Sequence, residues 1–287
     1  MTEVLLRGTA RRRPSLLYRL SIHPRGRAGL LIVATFAVLA AVAPLIAPYS
    51  PIASDWSRIR LPPNMENWFG TDELGRDILS RILWGTRSSL VAGFFSVAIG
   101  AGVGVPLGLL AGYAGGLVDK VASRFAEAML AVPFLITAIA LAAFLGPSLL
   151  NAMLAIGLAA APLFFRLARV QALAVAAADY VTSARASGAT ALRILAVHIA
   201  PNAISPLIVQ VVLTTATAII AEASLSFLGL GQQPPEPSWG SMLNSSREYL
   251  EGAPWMAVFP GFTIFLVILG FNLLGDGLRD ELDPRRT

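Results

Sequence analysis

The 38 residues from Ala128 to Phe165 contain no Asp, Glu, Lys or Arg. Such a tract is too long for one buried core helix. It is also too apolar to be a loop, so the natural solvent for it is a bilayer. A spanning helix needs roughly 20 apolar residues, at about 1.5 Å each across a core of about 30 Å. Gly146-Pro147-Ser148 divides the tract, because Gly and Pro end helices and favour turns. The expectation is a hairpin of two spans with a very short outer turn.

Four further tracts behave alike: Ala28–Ala47, Ser88–Val118, Ile199–Ala221 and Ala253–Leu274. Together they predict an all-α, polytopic membrane protein with about six transmembrane helices. Charged residues make up only 14% of the chain, against about a quarter in soluble domains. Pro206 and Pro260 fall inside the last two tracts and are expected to kink them, with neighbouring helices satisfying the freed carbonyls. Ala41-Val42-Ala43 loosely resembles a leader cleavage site. The basic region before it is long for a leader and more spans follow, so the first span is expected to be retained.

Cationic residues set the orientation. With the N-terminus in the cytoplasm, sixteen Lys and Arg lie inside and six outside. Seven of the sixteen are in the tail, at Arg7, Arg11, Arg12, Arg13, Arg19, Arg25 and Arg27. Both termini are therefore expected inside. The predicted organisation is a basic tail at 1–27, a first span at 28–47 and an outer segment at 48–87. A five-helix core follows at 88–275, with a cytoplasmic loop at 166–202, then a tail at 276–287. The formal charge of +5 and pI near 10.2 are explained by topology rather than by nucleic-acid binding. In the outer segment Arg76, Asp77 and Arg81 alternate with Ile78, Leu79, Ile82 and Leu83. That pattern predicts an amphipathic interfacial helix, with Trp68 and Trp84 in the aromatic belt.

Several chemistries are disfavoured. Without cysteine there is no disulfide or thiolate metal site, and His23 and His198 are far apart. The single lysine, Lys120, precedes Val121, whereas a phosphate-binding loop needs Ser or Thr there. Any use of ATP would then fall to a partner. Gly100, Gly104, Gly108 and Gly112 recur every four residues, which puts small residues on one helix face for close helix packing. That seam could lie within the chain or against a second subunit. Glu127 and Glu222 are the carboxylates nearest the bilayer, each near a predicted helix end, where a structural role is expected over a functional one.

The segment Arg166–Asn202 is the most informative. Asp179 reads as a helix N-cap, and the helix it begins ends near Gly188. Leu192, Ile194, Leu195 and Ile199 then form a second short apolar pattern, closed by Pro201. Two short helices joined at a glycine would make a knob suited to a groove on a soluble partner.

From Tyr180 to Asn202 this segment resembles the EAA coupling loop of ATP-binding-cassette importer permeases. Gly70–Arg81, the run Ala221–Gly231 with Pro234-Pro235 and Pro237-Ser238-Trp239-Gly240, and Asn272–Asp280 with Asp283-Pro284-Arg285 extend the likeness. They resemble the C-type subunit of the dipeptide/oligopeptide/nickel permease family, in the family's order. The resemblance implies a type I importer permease fold in a bacterial cytoplasmic (inner) membrane. It implies a second homologous permease, two ATPase subunits that bind ATP and Mg, and an extracytoplasmic substrate-binding protein as partners. It also implies alternating-access import of dipeptides or oligopeptides, with no cofactor and no catalysis in this chain. Thr182, Ser183, Ala184, Arg185, Gly188, Arg193, His198 and Pro201 would form the ATPase-coupling loop. Thr182-Ser183-Ala184 departs from the family's Glu-Ala-Ala, and Ala200 stands where Leu is usual. Nickel import and an ion-gradient-driven transporter are the rival readings, although inverted repeats and mid-membrane ionisable groups are not evident.

Overall fold

Asp77 starts the longest helix. Its carboxylate accepts from the Ser80 backbone N–H at 2.8 Å, satisfying one of the N–H groups that a helix start leaves without a partner. In the computed structural model, which describes residues 16–282, the chain builds eleven α-helical elements in order. They are α1 (Leu16–Ile22), α2 (Pro24–Ile46), α3 (Ile78–Ala114), α4 (Gly116–Leu130), α5 (Phe134–Leu145) and α6 (Leu149–Ala176). Then come α7 (Asp179–Ala186), α8 (Ala191–Arg193), α9 (Ala200–Phe227), α10 (Trp239–Ser246) and α11 (Trp255–Leu282). Arg7, Arg11, Arg12, Arg13 and the motif Asp283-Pro284-Arg285 lie outside the described residues.

The pattern expected to give a separate interfacial helix instead forms the first turns of α3. At 37 residues this helix runs about 55 Å, well beyond the hydrocarbon thickness. The charges on its outer end are buried against the segment before it rather than displayed at an interface. Arg76 Nε donates to Asp72 Oδ2 at 2.6 Å and Nη2 to Glu73 Oε1 at 2.8 Å. Arg81 donates to the Pro51 carbonyl at 2.8 Å, and Asn67 donates to Asp77 at 2.9 Å. The Arg81 and Asn67 bonds tie 51–77, which has little regular structure, onto the start of α3, and the Arg76 bonds brace that segment internally. At its exposed rim Ser57 donates hydroxyl and backbone N–H to Asp55, holding that carboxyl below the usual range.

Pro133 explains why the hairpin takes an unexpected form. Proline disfavours helical backbone at the residue before it, and α4 and α5 meet there at 92°. The 12 residues of α5 reach about 18 Å, too short to span alone. The packing of α3 on α6 shows that the bent pair must still cross. A Cβ at Gly100 would lie 2.9 Å from the Gly157 carbonyl, and one at Gly104 would lie 2.8 Å from Phe164 Cβ. At Gly108 the neighbour is Ala168 Cβ at 2.9 Å, and at Gly112 it is Ala172 Cβ at 2.9 Å. Numbers rise together on both helices, so α3 and α6 run parallel, and α4–α5 carries the chain back between them. The glycine seam therefore packs within this chain.

Helices α2 and α11 pair the opposite way. Gly26 meets Gly277, and Gly29 meets Leu274, so the start of α2 lies beside the end of α11. His23 Nε2 stands 3.3 Å from Asp280 Oδ2. Helix α2 is peripheral, with Leu31, Val38 and Leu45 exposed, as expected of a lipid-facing surface. The innermost layer is formed by Ala152, Ala155, Ile156 and Phe164 of α6, with Val97 of α3 and Ala218 and Leu225 of α9.

Candidate functional site

Helix α6 projects past its apolar stretch to Ala176, where the chain turns and forms the knob. Asp179 is the first residue of α7, not its cap: the cap is Ala178, with no side-chain bond. The carboxylate instead sits in the first turn, where it favours the positive end of the helix dipole. The other end matches a Schellman motif. Gly188, at φ +79°, donates to the Arg185 carbonyl at 3.0 Å, and Ala189 donates to Ala184 at 3.1 Å. Glycine is the residue that adopts this left-handed turn without strain.

Pro201 does not close the second helix. The segment Ile194–Ile199 widens into a π-helical turn, and α8 runs through it into α9. Ala200 N–H bonds to the Leu195 carbonyl, one residue further back than an α-helix allows. The proline ring would otherwise collide with the carbonyl four residues earlier, and a local π turn is a usual relief. Asn202 donates its side-chain amide to the His198 carbonyl at 2.7 Å.

The inner face of the knob is apolar. Val181, Ile194 and Ile199 are fully buried with Ala172 of α6, packed against Leu109 and Tyr113 of α3. The Arg185 guanidinium lies 5.5 Å from the centre of the Tyr113 ring, a distance at which a cation is attracted to the ring face. Tyr180 and His198 bring α7 against the π turn, with ring centres 6.2 Å apart. Behind the knob Arg169 of α6 makes a bidentate pair with Asp119 of α4, with Nη2 to Oδ2 at 2.7 Å. The pair links this end of α6 to α4.

The outer face carries most of the residues singled out from the sequence. Thr182, Ser183, Arg185, Gly188, Arg193 and Pro201 are exposed, and Ala184 and His198 are half-buried. Leu192 is 75% exposed and Val197 57%, so apolar groups stand in a polar rim without cover in this chain. Sequence reasoning overlooked Tyr113, Leu109, Asp119 and Arg169, which lie on other helices. A Tyr at the end of a small-residue helix was the available signal.

Glu222 departs from its expected position at a helix end. It is fully buried within α9, accepting from Ser226 Oγ at 2.7 Å and from Ser89 Oγ of α3 at 2.9 Å. Two hydroxyl donors satisfy it where water cannot reach. Glu127 is exposed and lies 3.0 Å from Arg124.

Residues 104–287 match the family described as binding-protein-dependent transport system inner membrane component. The chain belongs to this family. Residues 15–63 of this inner membrane component further match the N-terminal transmembrane domain of oligopeptide transport permease C. The dipeptide transport system permease protein DppC of Alkalihalophilus pseudofirmus is 47% identical over 257 residues, covering 90% of this chain and 84% of that one. The probable D,D-dipeptide permease DdpC of Escherichia coli is 43% identical, covering 94% and 91%. The glutathione permease GsiD of Pectobacterium atrosepticum is 44% identical, covering 92% and 87%. Among solved structures, a chain of the MetNI methionine ABC transporter in an inward-facing conformation superposes with TM-score 0.59. It is 20% identical and covers 72% of this chain and 98% of its own. The fold is thus that of an ABC importer permease, and the protein is a multi-pass inner-membrane component.

Proposed function

We propose that this chain is one permease subunit of an ATP-driven importer of dipeptides or oligopeptides, and that 179–199 is where an ATPase subunit docks. The observation that carries the docking role is the division of the knob into two faces. Its apolar side is buried on α3 and α6, and its far side presents Leu192 and Val197 among Thr182, Ser183, Arg185 and Arg193. An apolar centre with a polar rim is the usual anatomy of a protein interface. The names borne by the relatives support peptides as cargo. A second permease, two ATPases that hold ATP and Mg, and an extracytoplasmic binding protein complete the assembly. Both termini and the knob lie in the cytoplasm, as the cation distribution supports.

Alternating access then follows mechanically. Closure of the ATPases pushes the knob, and the Val181–Ile194–Ile199 cluster passes the displacement to α6 and α3. The Asp119–Arg169 pair takes it to α4. Thr182 stands where the family has Glu, so docking here relies on the apolar centre and the two arginines. In the assembled importer, Gly188→Arg should abolish ATP-driven uptake, and Leu192→Asp, which involves no left-handed backbone, should lower it at least tenfold. Normal uptake by both variants, with wild-type levels of assembled complex, would refute the docking role.

A further inference from the structure

Helix α9 presents one face to two clefts that share residues. The first, about 330 Å3, opens where α4 breaks from α5 and is lined by Thr137, Gln210, Thr214 and Thr217 with Phe134 and Leu213. The second, about 650 Å3, lies nearer the knob and is lined by Gln171, Asn202, Ser205 and Arg279. Gln210 and Leu213 border both, so the two clefts adjoin along α9 and together make a trough. Along α9 the positions 202, 206, 210, 213 and 217 recur every three or four residues, which places them on one face. Asn202 to Thr217 covers about 22 Å of a hydrocarbon core of roughly 30 Å.

The trough differs from the apolar hollows of the bundle. The cleft lined by Val103, Leu107, Leu110, Phe125 and Leu158 has no polar side chain, and suits lipid contact. Polar side chains at membrane depth face a bundle interior or a water-filled path. The Gln210 amide donates to Thr214 Oγ1 at 2.9 Å, which orients it and leaves its Oε1 able to accept. Thr137 comes from α5, the helix redirected by Pro133. Between Gln210 and Thr217 the lining is neutral, with hydroxyl and amide groups that match main-chain amides and distinguish no side-chain charge.

We infer that this face of α9, through Gln210 and Thr217 with Thr137 opposite, touches the peptide in transit and recognises its main chain rather than its side chains. The inference rests on the peptide-import reading and adds the residues and the basis of tolerance. The chain contains no cysteine, so a single thiol placed in it is the only one it carries, and the unsubstituted importer treated alike reads any reaction of the other subunits. Thr137→Cys, Thr217→Cys and, as a control, Phe262→Cys on the exposed face of α11 would be made in the complete importer in vesicles. A charged methanethiosulfonate should modify the first two thiols and cut uptake of labelled Ala-Ala at least fivefold, with excess Ala-Ala slowing modification. Phe262→Cys should stay unmodified and active. Gln210→Leu should lower uptake of Ala-Ala, Ala-Lys and Ala-Glu by the same factor within twofold.

Inert thiols at 137 and 217 in an importer that transports Ala-Ala would overturn the inference alone. So would full modification without loss of uptake. A loss confined to one of the three peptides would overturn main-chain recognition. Absence of uptake of all three by the unmodified importer would instead refute the peptide-import reading, and this inference with it.

Discussion

Gly104 shows how little room single positions leave. Its missing side chain would fall among the Ala161 carbonyl, Phe164 Cβ at 2.8 Å and the Phe165 nitrogen at 2.9 Å. Backbone atoms cannot rotate aside as a side chain can, so α3 and α6 must separate to admit even a methyl group. Gly102, half a turn away, has nothing within 4 Å of its hypothetical Cβ. We expect Gly104→Ala to destabilise the purified protein by about 1–3 kcal/mol, the usual cost of overpacking, and Gly102→Ala to stabilise it by up to about 1 kcal/mol, the helix preference of Ala over Gly. Thermal unfolding in detergent reads both, and equal midpoints for the two variants would contradict the seam. The four-residue spacing announced close packing from sequence alone. It could not name α6 as the partner, because the small residues that receive the glycines, Gly157, Ala161 and Ala168, are not set apart in sequence from the other alanines of α6, such as Ala152, Ala155, Ala159 and Ala160. The burial of Glu222 was illegible for a similar reason. Its donor Ser89 is 133 residues away, and no local pattern links the two.

Among the elements, the outer segment depends most on a few polar bonds. Arg76 holds both Asp72 and Glu73 with its side chain 7% exposed, and Arg81 holds the Pro51 carbonyl. Removing one partner of a buried pair leaves the other charged and dry, at about 3–5 kcal/mol. Arg76→Leu should therefore loosen the fold of 48–77 itself, read as rapid protease cleavage there before global unfolding. Arg58 pairs with Asp55 and Glu66 at a solvated rim, where ion pairs contribute little, so Arg58→Ala should resist protease like the parent. Equal resistance of Arg76→Leu would show that the segment is held by apolar contacts instead. Most helices were legible because charge-free tracts of spanning length admit few other structures. Two departures trace to proline. Pro133 breaks the first of the two spans read into Ala128–Phe165, and Pro201 is bridged by a π turn where a helix end was expected. A proline limits the local backbone, but only the neighbours decide whether the chain bends, stops or widens.

At the scale of the whole molecule, the orientation rests on charge while the sidedness of the parts rests on packing. The start of α2 lies beside the end of α11. That end, through Arg279 and Leu282, borders the same cleft as Asn202 and Gln171. The start of α2 and the end of α11 therefore share one face of the bundle with the knob. On the opposite face, Ile78 and Ile82 pack with Met242, Ala253 and Met256, joining the start of α3 to α10 and to the start of α11. The geometry ties the members of each face together, and the arginine distribution is needed only to say which face is cytoplasmic. A chain without cysteine permits a direct test. Leu192 is 75% exposed on the knob and Met65 is 95% exposed on the outer segment. In intact cells an impermeant maleimide should label Met65→Cys and leave Leu192→Cys unlabelled, and inverted membrane vesicles should reverse the pattern. Labelling of both from one side would break the six-crossing fold. A clean exchange of the two would keep the fold but turn it over, and would move the ATPase-docking role from the knob to the segment at 48–77.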